Sequence, residues 1–234
     1  MGVEGAVRPP AYQTLAEDLR AEITSGRLQP GERLPTEPQL CARSGVSRST
    51  VREALRLLAS QHLIVTTRGV TGGSFVAHPS PENLSDTLST GLNLLINAST
   101  ASLCDLLEVR ESLEVPAAGQ AARRRSEEHL AAMELALFDP RTADVPAMLV
   151  AHRLFHAALG AATGNPLYEL LSRPLYQVAN EREVAATAPP GFWLQIDADH
   201  RELLRCVRAQ DAEGATKVAC DHITFIRTAL APRV

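Results

Sequence analysis

The sequence predicts a mainly α-helical chain in two parts: a small helix-turn-helix head closed by a β-hairpin, then an all-α bundle. Three observations carry this. Residues 1–78 read as three short helices followed by two β-rich runs around a glycine-rich tip. From Leu84 onward helical periodicity is almost continuous and no strand pattern occurs. The charge also divides: residues 1–80 carry nine Arg against seven acidic groups, a net of +2, whereas the remainder is −6 and the whole chain −4. A mildly basic head on an acidic body suggests two domains with different partners. At 234 residues with 45% hydrophobic content, the chain can bury one large core or two modest ones. AHPSPENLSD, with two prolines and few apolar residues, marks the boundary, so we expect domains at 1–78 and 87–234 with a linker at 79–86.

In the head, YQTLAEDLRAEITS places Leu15, Leu19 and Ile23 at steps of four and stops at Gly26, an amphipathic helix. After the turn QPGERLP, Thr36 can cap a second helix ending near Ser44. Gly45 then allows a tight turn, and Ser47 can cap a third helix, RSTVREALRLLASQ, with Val51, Leu55 and Leu58 inward. LIVTTRGVTGGSFVA supplies two strands, 63–67 and 74–77, and the glycine-rich tip of a hairpin that would form a wing.

The third helix carries Arg48, Arg52 and Arg56 along its length and Ser47, Ser49 and Thr50 in its first turn. Amides and short hydroxyls at a helix N-terminus bond phosphates, and a guanidinium reaches guanine edges in the major groove. Three arginines alone are as readily a solvated face. With turn, caps and wing in order, DNA binding is the better reading. PGERLPTEPQLCARSGVSRSTVREALRLLASQHLIVTTRGVTGGSFVA resembles the winged-helix head of the GntR family of bacterial transcription regulators. The resemblance implies that Arg48 and Arg52 read or clamp operator DNA, that Ser47, Ser49 and Thr50 assist on the backbone, and that the wing around Arg68, Gly69 and Gly72 lies near the minor groove. It also implies one departure: Pro38 stands where the family usually has a DNA-contacting arginine. Because a single winged helix recognises a half-site weakly, a homodimer on a palindromic operator is expected.

In the body, candidate helices are 84–97, 102–123, 127–137, 145–163, 166–187, 194–209 and 212–230, with Pro116 expected to kink the second. His152 and His156 are one turn apart, on a face shared with Leu149 and Leu159. His200 faces inward with Ile196, Leu203 and Leu204, and His222 with Val218, Phe225 and Ile226. One such histidine is ordinarily a satisfied core residue. Four together cost desolvation unless each finds a partner, and one divalent ion serves all four rings at once. Arg110, three or four residues after Leu106 and Leu107, also falls on a buried face, where it needs either an internal acid or a bound anion.

HRLFHAALGAATGNPLY, the Asp199-His200 pair and CDHI make the body similar to the ligand-binding domain of the FadR-like branch of that family, the FCD type. The resemblance implies a divalent ion, zinc or nickel, on His156, His200 and His222, with His152 where an aspartate is usual, and a small organic acid effector held by Arg110. Four neutral imidazoles would leave the ion's full +2 charge, which either strengthens the pull on an anion or loosens the metal. Asn165 reads as a helix cap.

A metal-dependent enzyme is the rival reading, because two histidines four apart on a helix also hold hydrolytic zinc. Here Arg153 stands where His-Glu-x-x-His has its glutamate base, and no activated nucleophile is visible. A regulator whose histidines bind no metal is a third reading. Cys41, Cys104, Cys206 and Cys220 lack any C-x-x-C spacing and suit reduced, mostly buried thiols. No run of eighteen apolar residues and no signal-peptide pattern occurs, so a cytoplasmic protein with no membrane partner is expected.

Overall fold

The computed structural model describes residues 9–69, 72–78, 81–181 and 188–230, in two compact units, Met1–Ser80 and Pro81–Val234. Parts of the expected wing tip, of the linker at 79–80 and of the helix expected to reach 187 lie outside the described residues.

The first unit contains α1 (Ala11–Thr24), α2 (Glu37–Ser44), α3 (Arg48–Ser60), β1 (Ile64–Thr67) and β2 (Gly73–Val76). Its core is Leu15, Leu19, Leu40, Val51, Ala54, Leu58, Ile64 and Val76; Leu55 packs on its edge rather than inside. Gly45, at φ 68°, ends α2, and the Ser47 side chain accepts from the Thr50 amide at 3.2 Å to start α3. β1 and β2 pair antiparallel, with Ile64 opposite Val76 and Thr67 opposite Gly73. A third extended piece was not foreseen: within the expected turn, Leu34 N donates to Ser74 O and Val76 N to Glu32 O, both at 2.8 Å.

Among its described residues the second unit has helices and no strand: α4 (Pro81–Asn97), α5 (Leu103–Arg124), α6 (Glu127–Leu135), α7 (Val145–Ala162), α8 (Pro166–Glu181), α9 (Phe192–Arg208) and α10 (Ala212–Leu230). Helix α4, expected from residue 84, already begins at Pro81, so residues 81–83 of the expected linker form its first turn. Helix α5 runs through Pro116 unbroken, with that residue exposed, so the backbone bond it forfeits faces solvent. Alanines 117, 118, 121 and 122 line its buried face, and a Cβ on Gly119 would meet Thr216 Oγ1 at 2.6 Å. Small residues thus let α10 approach α5 closely, which brings His222 toward the centre of the bundle. The main core joins Phe155 and Leu159 of α7 to Met133, Leu203, Val207 and Ala215. Helix α7 is long and apolar enough by composition to cross a bilayer, yet Met148, His152, Phe155, His156 and Leu159 are all buried in the bundle. Asn165 Oδ1 accepts from the Leu167 amide, as a cap does. No disulfide joins the four cysteines, which were expected to be mostly buried: only Cys206 is, while Cys41 and Cys220 are half-buried and Cys104 is exposed.

Candidate DNA-reading face and metal centre

On the first unit, Ser47, Arg48, Ser49 and Arg52 are exposed and Thr50 half-buried, all along the start of α3. Ser47 Oγ lies 2.8 Å from both Ser49 Oγ and Thr50 Oγ1, so the three hydroxyls form one cluster at the helix N-terminus. Arg52 Nε donates to both Glu37 oxygens, at 3.2 and 3.1 Å, tying α3 to α2, and Arg56 pairs with Glu53 of its own helix. Among the described residues Arg48 has no ion pair, so its charge is the least committed of the three. Arg68 and Gly69 are exposed at the wing. Gly72 is tightly enclosed: a Cβ there would meet Thr67 O at 2.6 Å, so the hairpin closes only around a glycine. The sequence reading missed Arg33. Its Nη2 donates to Gly72 O at 2.5 Å and its guanidinium lies 6.0 Å from the Phe75 ring, fastening the wing to the segment before α2.

In the second unit, α7, α9 and α10 bring His152, His156, His200 and His222 together. All four are buried, their ring centroids lie 4.4 to 5.8 Å apart, and one nitrogen from each falls within 4.8 Å of the others. His152 Nδ1 is 3.1 Å from His200 Nε2, and Phe155 stacks on His200 with 4.1 Å between centroids. His222 Nδ1 is 3.0 Å from Asp199 Oδ2. His156 Nδ1 approaches Glu114 Oε2 at 3.1 Å, off the line of a well-formed hydrogen bond. Nε2 of His156, Nδ1 of His200 and Nε2 of His222 are buried without a hydrogen-bond partner. Unpaired buried imidazole nitrogens are costly, and a divalent ion would satisfy them, so the donor set fits such an ion.

Burial, then the neighbouring rings and Arg110, push the His152 and His200 pKa values well below the ordinary range. Burial also lowers His156, to about 4, against the opposing pull of Glu114. These rings are therefore neutral near pH 7, the form that binds metal.

Arg110 is buried and finds an internal acid. Its Nε donates to Glu114 Oε1 at 2.5 Å and its Nη2 to Oε2 at 3.3 Å, while Tyr176 of α8 lies 5.0 Å from the guanidinium. Burial alone would raise the Glu114 pKa; Arg110 and His156 outweigh it and hold the carboxyl at about 2. Of the two partners left open for Arg110, the structure thus supplies the internal one. The signal was in the sequence, since Arg110 and Glu114 stand at i, i+4 in RESLE.

Comparison with known proteins agrees with both halves. The FCD domain family matches residues 105–225, over half of the chain, and the family described as bacterial regulatory proteins, gntR family, matches residues 11–76. The chain belongs to the GntR family, FCD type. The "Putative L-lactate dehydrogenase operon regulatory protein" of Escherichia coli is 28% identical to this GntR chain over 221 residues, 92% of this chain and 84% of that protein. The "Galactonate operon transcriptional repressor" of E. coli is 29% identical, covering 88% and 90%, and the "HTH-type transcriptional regulator LutR" of Bacillus subtilis 28%, covering 89% and 95%. A solved Streptococcus agalactiae GntR shares the fold, with a TM-score of 0.60 at 23% identity, covering 93% of this chain and 99% of that one. This GntR chain is thus a DNA-binding transcription regulator, not an enzyme, and its head binds operator DNA.

Proposed function

We propose that the chain is a metal-dependent, effector-controlled regulator that works in the cytoplasm as a homodimer on a palindromic operator. His152, His156, His200 and His222 would hold one divalent ion, zinc or nickel. The bound ion would supply a positive centre for a small organic acid, and Arg110, with two of its five donor hydrogens committed to Glu114, has others to offer the same carboxylate. The observation carrying the reading is the convergence of four buried imidazoles, three with a partnerless nitrogen. Relatives named for lactate and galactonate operons are consistent with an organic acid effector. Exposed Leu84, Leu88 and Leu95 on one face of α4 favour a second copy as partner. Effector binding would shift the helices leading to the head and change the spacing of the two recognition helices.

On DNA, Arg48 and Arg52 would contact base edges or clamp phosphates, Ser47, Ser49 and Thr50 would bond the backbone, and Arg68, Gly69 and Gly72 would lie at the minor groove. The primary test is metal content per protomer of untagged protein purified without chelator. About one equivalent of zinc or nickel supports the reading, and no metal after added excess overturns it. A gel-shift titration of the metal-loaded protein with small carboxylates then tests the effector, and unchanged operator affinity across them refutes that part. Arg48→Ala should cost about 1 to 3 kcal/mol on the operator alone. Equal losses on random DNA would assign Arg48 to phosphate.

A further inference from the structure

We propose that Asp199 and Glu114, which would act on the ion only through the rings, decide which nitrogen His222 and His156 present to the centre, holding both rings as Nδ1–H tautomers with Nε2 free, and supply the negative charge that an all-histidine set lacks. The inference rests on the metal reading above and names the groups that tune that site.

The argument begins with hydrogen-bond roles. An ionised carboxylate only accepts, so a neutral imidazole beside one must place its single proton on the nitrogen facing it. At His222 that nitrogen is Nδ1, 3.0 Å from Asp199 Oδ2. The other nitrogen, Nε2, is then a bare lone pair, and it is buried with no partner. Asp199 is itself fixed from behind, since Gln195 Nε2 donates to its Oδ1 at 2.7 Å. At His156 a carboxylate is also close, without a formed hydrogen bond: Nδ1 lies 3.1 Å from Glu114 Oε2, both ring nitrogens are buried and partnerless, and Arg110 also holds the carboxylate. A proton on Nδ1 would face the Glu114 carboxylate, whereas a bare Nδ1 lone pair would be repelled by it. Two residues on different helices thus each set a carboxylate oxygen 3.0 to 3.1 Å from Nδ1 of one histidine whose Nε2 is unpaired.

Charge points the same way. Neutral imidazoles leave a divalent ion at +2 and Arg110 adds +1, which a dry bundle cannot hold uncompensated. Glu114 and Asp199 return −2, leaving +1 for a ligand carboxylate to cancel. The work of the aspartate expected at position 152 is thereby done one ring further out.

Two measurements on the full chain test this. In metal-stripped, ¹⁵N-labelled wild type, long-range ¹H–¹⁵N correlations should show His222 and His156 as Nδ1–H tautomers. An Nε2–H form at His222 overturns the proposal. Zinc affinity, read by competition with a chromogenic chelator, should then fall about 10- to 100-fold in Asp199→Ala. Asp199→Asn, which keeps an acceptor but no charge, should retain the tautomer and lose less affinity. Asp199 carries the test because its side chain is partly exposed, whereas Glu114→Gln strips buried Arg110 of its counter-charge. A wild type that binds no zinc overturns the metal reading and this inference with it. A wild type that binds zinc while Asp199→Ala binds it equally well overturns this inference alone.

Discussion

Replacing Glu114 by glutamine removes one half of a buried ion pair and leaves the other in place. Arg110 and Glu114 are 1% and 3% exposed and joined through two nitrogens, so water cannot take over the lost role. Breaking such a pair from one side costs about 3 to 5 kcal/mol. Two features place this case at the lower end: the glutamine oxygen still accepts one bond, and the Tyr176 ring lies 5.0 Å from the guanidinium. We expect a loss of about 3 kcal/mol, which for a helical unit of about 150 residues lowers Tm by roughly 6 to 12 °C. The double variant Arg110→Met with Glu114→Leu removes both charges and fills the space, so it should return to within about 1 kcal/mol of wild type. The assay is urea unfolding followed by circular dichroism, on metal-stripped protein so that ion binding does not add its own stabilisation. A single-variant loss under 1 kcal/mol, or a double variant as unstable as the single, would refute the view that Arg110 is held by Glu114 and by nothing else of consequence.

The remaining predictions concern packing, caps and the wing. Phe155→Ala deletes a fully buried ring stacked on His200 and should cost about 3 to 5 kcal/mol, with zinc affinity falling as well; a normal Tm would contradict the packing. Ser47→Ala removes the cap of α3 and should destabilise the head by about 1 kcal/mol in thermal unfolding. Arg33→Ala frees the wing from its anchor at Gly72, so operator affinity should fall while the fold persists, read by gel shift beside circular dichroism. Unaltered affinity would show that the wing is held without it.

How much of this was legible beforehand depended on how local each cause was. Helices α3, α7 and α10 follow from apolar spacing and, for α3, from the Ser47 cap, causes that lie within a few residues of their effects. The burial of four histidines was likewise readable, because each shares a helical face with leucines or isoleucines. What escaped depends on contacts between distant segments. The Arg33 anchor joins residues 39 apart, and the pairing of residues 32–34 with β2 spans a similar gap, so a turn signal could not reveal either. The Asp199–His222 contact joins α9 to α10, and nothing in ADHR or CDHI says that the two residues meet. Residues 81–83 escaped for a local reason: Pro81 suggested a linker, yet proline is well tolerated in the first turn of a helix.

The position of His152 gains its meaning only from these distant contacts. Taken alone, a histidine in place of an acidic ligand leaves two opposite expectations, a stronger pull on anions or a weaker hold on the ion. With an ion bound, Glu114 and Asp199 would change the balance, because a carboxylate behind a ligand ring raises that ring's basicity and offsets the ion's charge. Metal retention would then depend on the backing carboxylates rather than on the identity of the fourth ligand. Anion binding would depend on what remains after Arg110 and Glu114 have satisfied each other. The same Glu114 would serve both, toward the ion through His156 and toward the effector through Arg110. By linkage, any effector that draws Arg110 away from Glu114 must alter metal affinity by the factor that metal alters effector affinity. Measuring both factors in one buffer, with wild type and with Asp199→Ala, separates a coupling carried by Glu114, which survives that substitution, from one carried by the charge of the whole centre, which does not.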